Sequence, residues 1–289
     1  MLGIVGAFAL ADRSAYGRWR DAKLESAPTS VGDLVVEVGD IADPTAAEHG
    51  ALLDRVRRSN MAVYAGAVSL DRDDKAALKA LGRRFGLTGI DANHLADEDG
   101  VTPLAVHREG TRARYIPYTE RPITWHTDGY YNMPERTVRA LLLHCARPAA
   151  SGGANRLMDH EILYIMLRDE DPELIRALMA PDAMTIPGND EEGMRRPATV
   201  GPVFSVDGQG CLHMRYTARA RNVEWSPQAQ YAATVLRRVL ETPSAYCFEH
   251  ILQPGQGLLS NNPLHTREPF ADDPACPRLL YRARYHDRI

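Results

Sequence analysis

Residues 125–132 read WHTDGYYN, and this stretch carries the strongest signal in the sequence. On an extended strand, side chains two residues apart project to the same face, so His126 and Asp128 can bind one metal ion together. A second imidazole, His265, follows much later in NNPLHTR at 261–267. Two histidines and one carboxylate are the facial triad typical of oxygen-activating iron(II), whereas four ligands close a structural zinc site.

A further signal lies shortly after His265, in RLLYR at 278–282. On a strand, Arg278 and Arg282 share a face. A guanidinium buried beside a metal needs an anionic partner, and its planar fork matches the distal carboxylate of 2-oxoglutarate. The His-x-Asp pair alone is weak evidence, because a chain with ten histidines and 38 acidic residues contains such pairs by chance. The combination with Arg278 makes the metal interpretation the stronger one.

Composition excludes several classes of protein. The 34 Lys and Arg residues nearly balance the 38 Asp and Glu residues, the formal net charge is −4, and no basic run dominates, which argues against nucleic acid or an anionic membrane as the main partner. The apolar opening Met1 to Ala11 is far shorter than the roughly 20 residues of a membrane span, and we expect it to be part of the folded domain. The four cysteines form no CxxC pair, which predicts buried thiols and a cytoplasmic protein.

The hydrophobic pattern predicts one domain over residues 1–289, in which strands and helices alternate at first and a β-rich core follows. The predicted strands are Leu34 to Val38, Met61 to Ala65, Thr137 to His144, Ala245 to Leu252, Gly257 to Asn261 and Leu279 to Tyr285, with a hairpin over Gly201 to Thr217. The predicted helices open at Asp43-Pro44, cover Asp71 to Phe85, and form two insertions at about 159–180 and 226–242, the first with Asp159 as its N-cap.

These motifs together resemble the TauD/TfdA (taurine dioxygenase-like) family of iron(II) and 2-oxoglutarate dioxygenases. The resemblance covers most of the chain and rests on WHTDGYYN at 125–132, SGGAN at 151–155, NNPLHTREPF at 261–270 and RLLYRA at 278–283. It implies an α+β fold around a double-stranded β-helix, a cupin-like jelly roll with surrounding helices. It also implies that His126, Asp128 and His265 hold iron(II), and that Arg278 pairs with 2-oxoglutarate while dioxygen serves as the second co-substrate.

The same resemblance implies finer roles. Arg282 corresponds to the position that meets an anionic group of the substrate, and Asn155 stands where the family often has a threonine that assists the co-substrate. The amide of Asn155 can still bond a carboxylate, so that role is weakened rather than lost. Because Asp128 is retained, hydroxylation is favoured over halogenation. The implied reaction oxidises a small organic molecule that carries an anionic or polar group and releases succinate and carbon dioxide; a homo-oligomer is expected on family grounds alone.

Several residues keep two interpretations. Tyr130 either lines the substrate pocket or is a core tyrosine with a bonded hydroxyl. His144 and His213 are predicted to be strand histidines with satisfied rings, and His160 to be a capping or surface group. A further set of basic residues either contacts an acidic substrate or lies in solvated or packing positions: Arg108, Arg112, Arg114, Arg219 and Arg221.

Two other functions remain open at this point: a non-catalytic cupin-like binding protein, and a zinc hydrolase that uses the same three ligands. Arg278 argues against both, because neither needs a carboxylate clamp after the third ligand.

Overall fold

The computed structural model describes residues 6–67, 73–92, 97–189 and 196–289. The strands within these residues are β1 (Val35–Val38), β2 (Met61–Gly66), β3 (Thr102–Leu104), β4 (Ile123–His126), β5 (Ala140–Arg147), β6 (Ser151–Gly152), β7 (Asn155–Met158), β8 (Met184–Ile186), β9 (Thr199–Gly201), β10 (Phe204–Val206), β11 (Leu212–Met214), β12 (Glu224–Trp225), β13 (Cys247–His250), β14 (Gln256–Ser260), β15 (Leu264–Arg267), β16 (Phe270–Ala271) and β17 (Leu279–Tyr285). The α-helices are α1 (Arg13–Glu25), α2 (Ala46–Ser59), α3 (Asp74–Arg84), α4 (His160–Glu170), α5 (Pro172–Leu178) and α6 (Gln230–Glu241).

The chain is a mixed α and β structure with several sheets, and it divides into two compact units of three segments each. The first unit consists of Met1–Ala27, Trp125–Thr137 and Met158–Cys247, and the second of Pro28–Thr124, Val138–Leu157 and Phe248–Ile289. Of the predicted N-terminal segment, residues 1–5 lie outside the described residues, as do residues 71 and 72 at the start of the predicted second helix.

The second unit is built on a six-stranded sheet with the order β1-β2-β14-β5-β17-β3. Strands β1 and β2 are parallel and the other pairs antiparallel. Both faces are buried: Leu142 of β5 packs in a cluster with residues of α2 and α3, while its neighbour Leu143 packs in a second cluster on the opposite face. This explains why β5 reads as a continuous apolar run, since a strand with two buried faces has no polar alternation.

A four-stranded sheet with the order β13-β7-β15-β4 contains the strands that carry His126 and His265, which are neighbours in it. The SGGAN turn precedes β7, and Gly152 lies in a short ladder opposite Phe270. Gly152 has φ +73°, and a Cβ atom there would meet the carbonyl oxygen of Pro269 at 2.5 Å. Only glycine therefore fits this position without moving backbone.

The first unit contains most of the helices and short antiparallel strands. The predicted hairpin forms as β10 paired with β11 around Asp207, and is shorter than the predicted range. The first predicted insertion is two helices: the side chain of Asp159 caps α4 as predicted, and Asp171 begins the second helix with Pro172 in its first turn. Proline fits there because the N–H of the first helical residue has no hydrogen-bond acceptor within the helix.

Lys23 of α1 fixes the start of α4. Its ammonium group lies 2.7 Å from a carboxylate oxygen of Asp159 and also contacts Glu161. Both Lys23 and Asp159 are buried. A buried charge of this kind is tolerated only when it is paired.

Three expectations need correction. His160 is neither a cap nor a surface group: it is fully buried, and its Nε2 lies 3.1 Å from the carbonyl oxygen of Leu212. The four cysteines are free, but only Cys145 is buried and Cys276 is exposed. The predicted strand over 245–252 is only β13, because residues 245 and 246 form a turn and residues 251 and 252 lie outside any strand. In the described part of the chain, no helix is both long and apolar enough to cross a membrane.

Candidate metal centre

The end of β4 is held by main-chain bonds to residues 216–218. The N–H of Thr127 donates to the carbonyl of Tyr216 at 3.0 Å, and His126 forms an antiparallel bridge with Thr217. Thr127 is buried and faces away from its two neighbours, so His126 and Asp128 project together as the strand periodicity predicts. This backbone pairing fixes the first two candidate ligands.

The turn after Asp128 is fixed by two arginines that the sequence interpretation missed. Gly129 takes φ +69°, and Arg215 donates to the carbonyl of the next residue, Tyr130, at 3.3 Å. Arg196 donates to the carbonyl of Tyr131 at 3.4 Å. Burial lowers the pKa of Arg215 to about 10. The remaining bonds of Arg215 go to main-chain carbonyls of Met184, Thr199, Gly201 and Pro202.

His265 is buried in β15 and is oriented by its own chain. Its Nδ1 lies 3.0 Å from the carbonyl oxygen of Pro263. A carbonyl only accepts, so Nδ1 carries the proton and Nε2 presents the lone pair of the neutral ring. Just before this strand, Asn262 takes a left-handed conformation with φ 51° and donates from Nδ2 to the carbonyl of Val138 at 2.8 Å.

The three predicted ligands come together. One ligand atom from each of His126, Asp128 and His265 lies within 4.8 Å of the others. Nε2 of His126 is 3.6 Å from Oδ1 of Asp128. Two imidazoles and one carboxylate suit iron(II) and would leave other coordination positions of the metal open. That these residues hold iron stays a prediction.

Arg278 precedes β17 and is only 5% exposed. Its guanidinium carbon lies 4.8 Å from the centre of the Phe270 ring, and its main-chain N–H donates to Asp272 at 2.7 Å. Burial lowers the pKa of Arg278, while the nearby Cys145 and Asp272 act in the opposite direction. Over residues 6–67, 73–92, 97–189 and 196–289, no hydrogen bond or ion pair to its guanidinium is found. The group is therefore available for an anion.

Arg267, two residues after His265, is a second buried cation that the sequence interpretation missed. Its guanidinium donates to the carbonyls of Ile116, Pro117, Thr119 and Arg121, which precede β4. Burial, together with the positive charge of Arg278, lowers its pKa to about 9. Its position two residues after His265 on a strand was a signal that could have been used, because it places both side chains on one face.

Asn155 and Arg282, which were predicted to bind the co-substrate and the substrate, have different contacts. Asn155 donates from Nδ2 to the carbonyl of Thr266 at 2.8 Å, so its amide group is tied to the strand of His265. Arg282 is half-buried in β17 and pairs in register with Leu143 and Thr102. It lies on the same face of the strand as Leu280, as alternation requires.

Tyr130 is half-buried, and both of its interpretations stay predictions. Burial raises its pKa, which the charge of Arg219 and hydrogen bonds from Thr217 and Arg219 partly oppose. Its ring also makes an edge contact with Tyr131, with ring centres 5.2 Å apart.

Two of the remaining candidates have structural partners. Arg112 forms an ion pair with Asp97 at 2.9 Å and lies over the Tyr118 ring. His144 lies in β5 as predicted, where its Nδ1 is 3.1 Å from the hydroxyl of Tyr64 and its Nε2 is 3.4 Å from a carboxylate oxygen of Asp74. Exposed positions are held by Arg108, Arg114, Arg219 and Arg221.

The family model described as Taurine catabolism dioxygenase TauD, TfdA family matches residues 28–284. The chain belongs to this family. It is an iron(II)- and 2-oxoglutarate-dependent dioxygenase that oxidises a small organic molecule, with dioxygen as second co-substrate, and the predicted cofactor class is confirmed.

Two curated relatives carry the name uridine-5'-phosphate dioxygenase. The protein from a Streptomyces species is 34% identical over 200 residues, which is 65% of this chain and 70% of the relative. The protein from an Amycolatopsis species is 34% identical over 173 residues, 56% of this chain and 60% of the relative. Among solved structures, the non-heme iron oxygenase OrfP in complex with Fe and alpha-ketoglutaric acid superposes with a TM-score of 0.57 at 18% identity, over 92% of this chain and 89% of OrfP. At this identity, the similarity to OrfP shows a shared fold.

Proposed function

We propose that His126, Asp128 and His265 hold the iron(II) of this dioxygenase and that Arg278 binds the distal carboxylate of 2-oxoglutarate. The observation that carries the proposal is the approach of the three ligand atoms to within 4.8 Å of one another. Their donor chemistry suits iron(II) with positions left open for the co-substrates. Arg278 adds independent support, because a buried guanidinium without an anionic partner in the described residues has room for a carboxylate.

The finer fold belongs to the same proposal: the sheets form a double-stranded β-helix, and residues 1–289 act as one catalytic domain. The family model supports this because it runs from residue 28 to 284 and so includes segments of both compact units. The fold likeness to OrfP, which covers 92% of this chain, supports it further.

When bound, iron and 2-oxoglutarate supply the activation of dioxygen, with succinate and carbon dioxide as co-products. The residues of this chain would hold the metal ligands and the co-substrate in position. The carbonyl of Pro263 fixes the ring of His265, and the His126–Thr217 bridge fixes the other histidine. The fork of Arg278 holds the co-substrate in one orientation, since a bidentate pair sets geometry as well as energy.

The substrate proposed here is a small molecule with a phosphoryl group, of which uridine 5'-phosphate is the candidate to test first. The two curated relatives support it by their names, at 34% identity. Hydroxylation of a C–H bond is the proposed outcome, because Asp128 is retained as a ligand.

The test is succinate release from protein loaded anaerobically with iron(II), then given 2-oxoglutarate, air and uridine 5'-phosphate. We expect substrate-stimulated succinate from the wild type and from Asp182→Ala, an exposed aspartate that serves as control. Asp128→Ala should release none above background while unfolding at the same urea concentration. Wild-type levels of succinate from Asp128→Ala would contradict the ligand assignment. No iron-dependent succinate from the wild type would favour the binding-protein or zinc-hydrolase alternatives.

A further inference from the structure

A bend with an unusual backbone conformation lies just before the third candidate ligand. Among the residues that the structure describes, Asn60 and Asn262 are the two non-glycine residues with a positive φ, at 59° and 51°. Asn262 stands directly before Pro263, where a residue normally takes an extended conformation. A positive φ at a residue other than glycine is uncommon and persists only where the surrounding structure holds it. The contacts that hold Asn262 therefore matter.

Hydrogen bonds from three parts of the chain hold this bend. Nδ2 of Asn262 donates to the carbonyl of Val138 at 2.8 Å. The N–H of Asn261 donates to the carbonyl of Asn60 at 2.8 Å, and its Nδ2 donates to Oδ1 of the same residue at 3.2 Å. The N–H of Ile289 in turn donates to Oδ1 of Asn261 at 3.0 Å. All three asparagines are buried, so the bend is fixed by protein groups.

The bend determines where the carbonyl of Pro263 points. Pro263 is buried and its ring fixes its own φ, so the direction of the chain here is set by the residue before it. The carbonyl oxygen of Pro263 lies 3.0 Å from Nδ1 of His265. Because a carbonyl only accepts, this contact keeps the proton on Nδ1 and leaves on Nε2 the lone pair that a metal needs. A different φ at Asn262 would turn the carbonyl away from the ring.

Resting on the proposed function, we propose that Asn262 is a positioning residue for the third iron ligand. Its bend, tied to Val138, aims the carbonyl of Pro263 at His265 and so selects the tautomer whose Nε2 can bind iron(II). In the other tautomer Nε2 carries the proton and has no lone pair to offer. The hydrogen bond at the second ring nitrogen of a histidine ligand sets which nitrogen is free for the metal. Asn262 acts through the main chain.

Two substitutions separate the side-chain amide from the backbone conformation. Asn262→Gly removes the bond to Val138 but still adopts a positive φ readily, whereas Asn262→Ala removes the bond and also disfavours that φ. The control for a general loss of stability is Val235→Ala. It removes part of a buried side chain of α6, which belongs to the other compact unit.

The first measurement is the tautomer of His265 in the metal-free protein. It is read from the nitrogen NMR shifts of isotope-labelled histidine at about pH 8, above the ordinary histidine pKa near 6.5, and the signal is assigned by its absence from His265→Ala. We expect the Nδ1–H form in the wild type and in Val235→Ala. A mixture of the two tautomers is expected in Asn262→Ala, with Asn262→Gly between these limits.

The second measurement is an anaerobic titration with iron(II) against a competing chelator. Asn262→Ala should bind iron(II) about 10- to 100-fold more weakly than the wild type, the loss expected when the partner of a ligating histidine is disturbed. Asn262→Gly should lose less, and Val235→Ala should bind iron(II) as the wild type does.

The outcomes separate this proposal from the ligand assignment. Asn262→Ala with the Nδ1–H form and wild-type iron affinity, but with lowered stability, would overturn the proposal, because the asparagine would then be structural alone. A wild type with the proton on Nε2 would also overturn it. A wild type that binds no iron, in which the tautomer of His265 still changes with Asn262→Ala, would reject the ligand assignment and support the orientation of His265 by Asn262.

Discussion

The guanidinium of Arg278 lies 4.8 Å from the centre of the Phe270 ring, and the same ring is 4.9 Å from the guanidinium of Arg267. Two buried cations thus share one aromatic ring. Burial lowers the pKa of both, and the positive charge of Arg278 also lowers the pKa of Arg267. An aromatic face offsets only part of such a cost, at about 2 kcal/mol when desolvated. A bound carboxylate would offset more.

The first prediction concerns Arg278→Met. The apparent KM for 2-oxoglutarate should rise about 10- to 100-fold, since a charge-assisted pair is lost. The ligand-free protein should lose no stability in urea, because the substitution removes a buried charge that lacks an anionic partner in the described residues. Arg57→Met, an exposed arginine of α2, is the control and should change neither quantity. An unchanged KM for 2-oxoglutarate in Arg278→Met would contradict the clamp.

Substitution of Arg267, unlike that of Arg278, is predicted to lower the stability of the protein. Its guanidinium satisfies four main-chain carbonyls just before β4, and a buried acceptor left without a donor costs about 1–3 kcal/mol. Arg267→Met should therefore lower the free energy of unfolding markedly, even though a buried charge is also removed. Arg267→Lys should be intermediate, because an ammonium group has three donors on one atom and cannot reach four carbonyls in the fork geometry. Urea unfolding of the three proteins tests this, and a fully stable Arg267→Met would show that the carbonyl contacts contribute little.

A third prediction follows from the buried group of Lys23 and Asp159. Burial raises the pKa of Asp159, but Lys23, His160 and the N–H of Glu161 more than offset this, so the pKa is lowered overall. A carboxyl with a depressed folded-state pKa adds stability above its unfolded value, near 3.9, and loses it as the pH falls through the folded value. Burial likewise lowers the pKa of Lys23, and its two carboxylates raise it overall, so its contribution is lost only in strong alkali.

Stability measured in urea should therefore rise as the pH increases from about 2 to 5. Lys23→Met should lower stability near neutral pH by about 3–5 kcal/mol, the cost of leaving a buried charge without its partner. This loss of stability should be smaller in acid, where Asp159 becomes protonated in both the folded and the unfolded protein. Arg18→Met, an exposed residue of α1, should follow the wild-type curve. A loss in Lys23→Met that is the same at pH 3 and pH 7 would contradict the ion-pair account.

Much of the candidate site could be predicted from the sequence because its signals are local. His126 and Asp128 are two residues apart on one strand, and the RLLYR segment carries its own alternation. The N-cap at Asp159 is likewise a short-range pattern, and α4 begins there.

The residues that were missed or misassigned depend on contacts between distant parts of the chain. Arg267 and Arg215 bind main-chain carbonyls. Because every residue has such a carbonyl, the sequence does not indicate which ones an arginine will contact. His160 is buried because it meets the carbonyl of Leu212, and helix position alone indicated the surface. The exposure of Cys276 depends on a turn before Arg278 that composition does not reveal.

The central claim is that His126, Asp128 and His265 form one iron site beside Arg278. Its most direct test is to add iron(II) and then 2-oxoglutarate to metal-free protein without oxygen and to record the visible charge-transfer band of the chelated keto acid. The account predicts the band in the wild type and in His213→Ala, its loss in His265→Ala, and its appearance in Arg278→Met only at higher 2-oxoglutarate concentration. A band of full intensity in His265→Ala, or none in the wild type, would contradict the account.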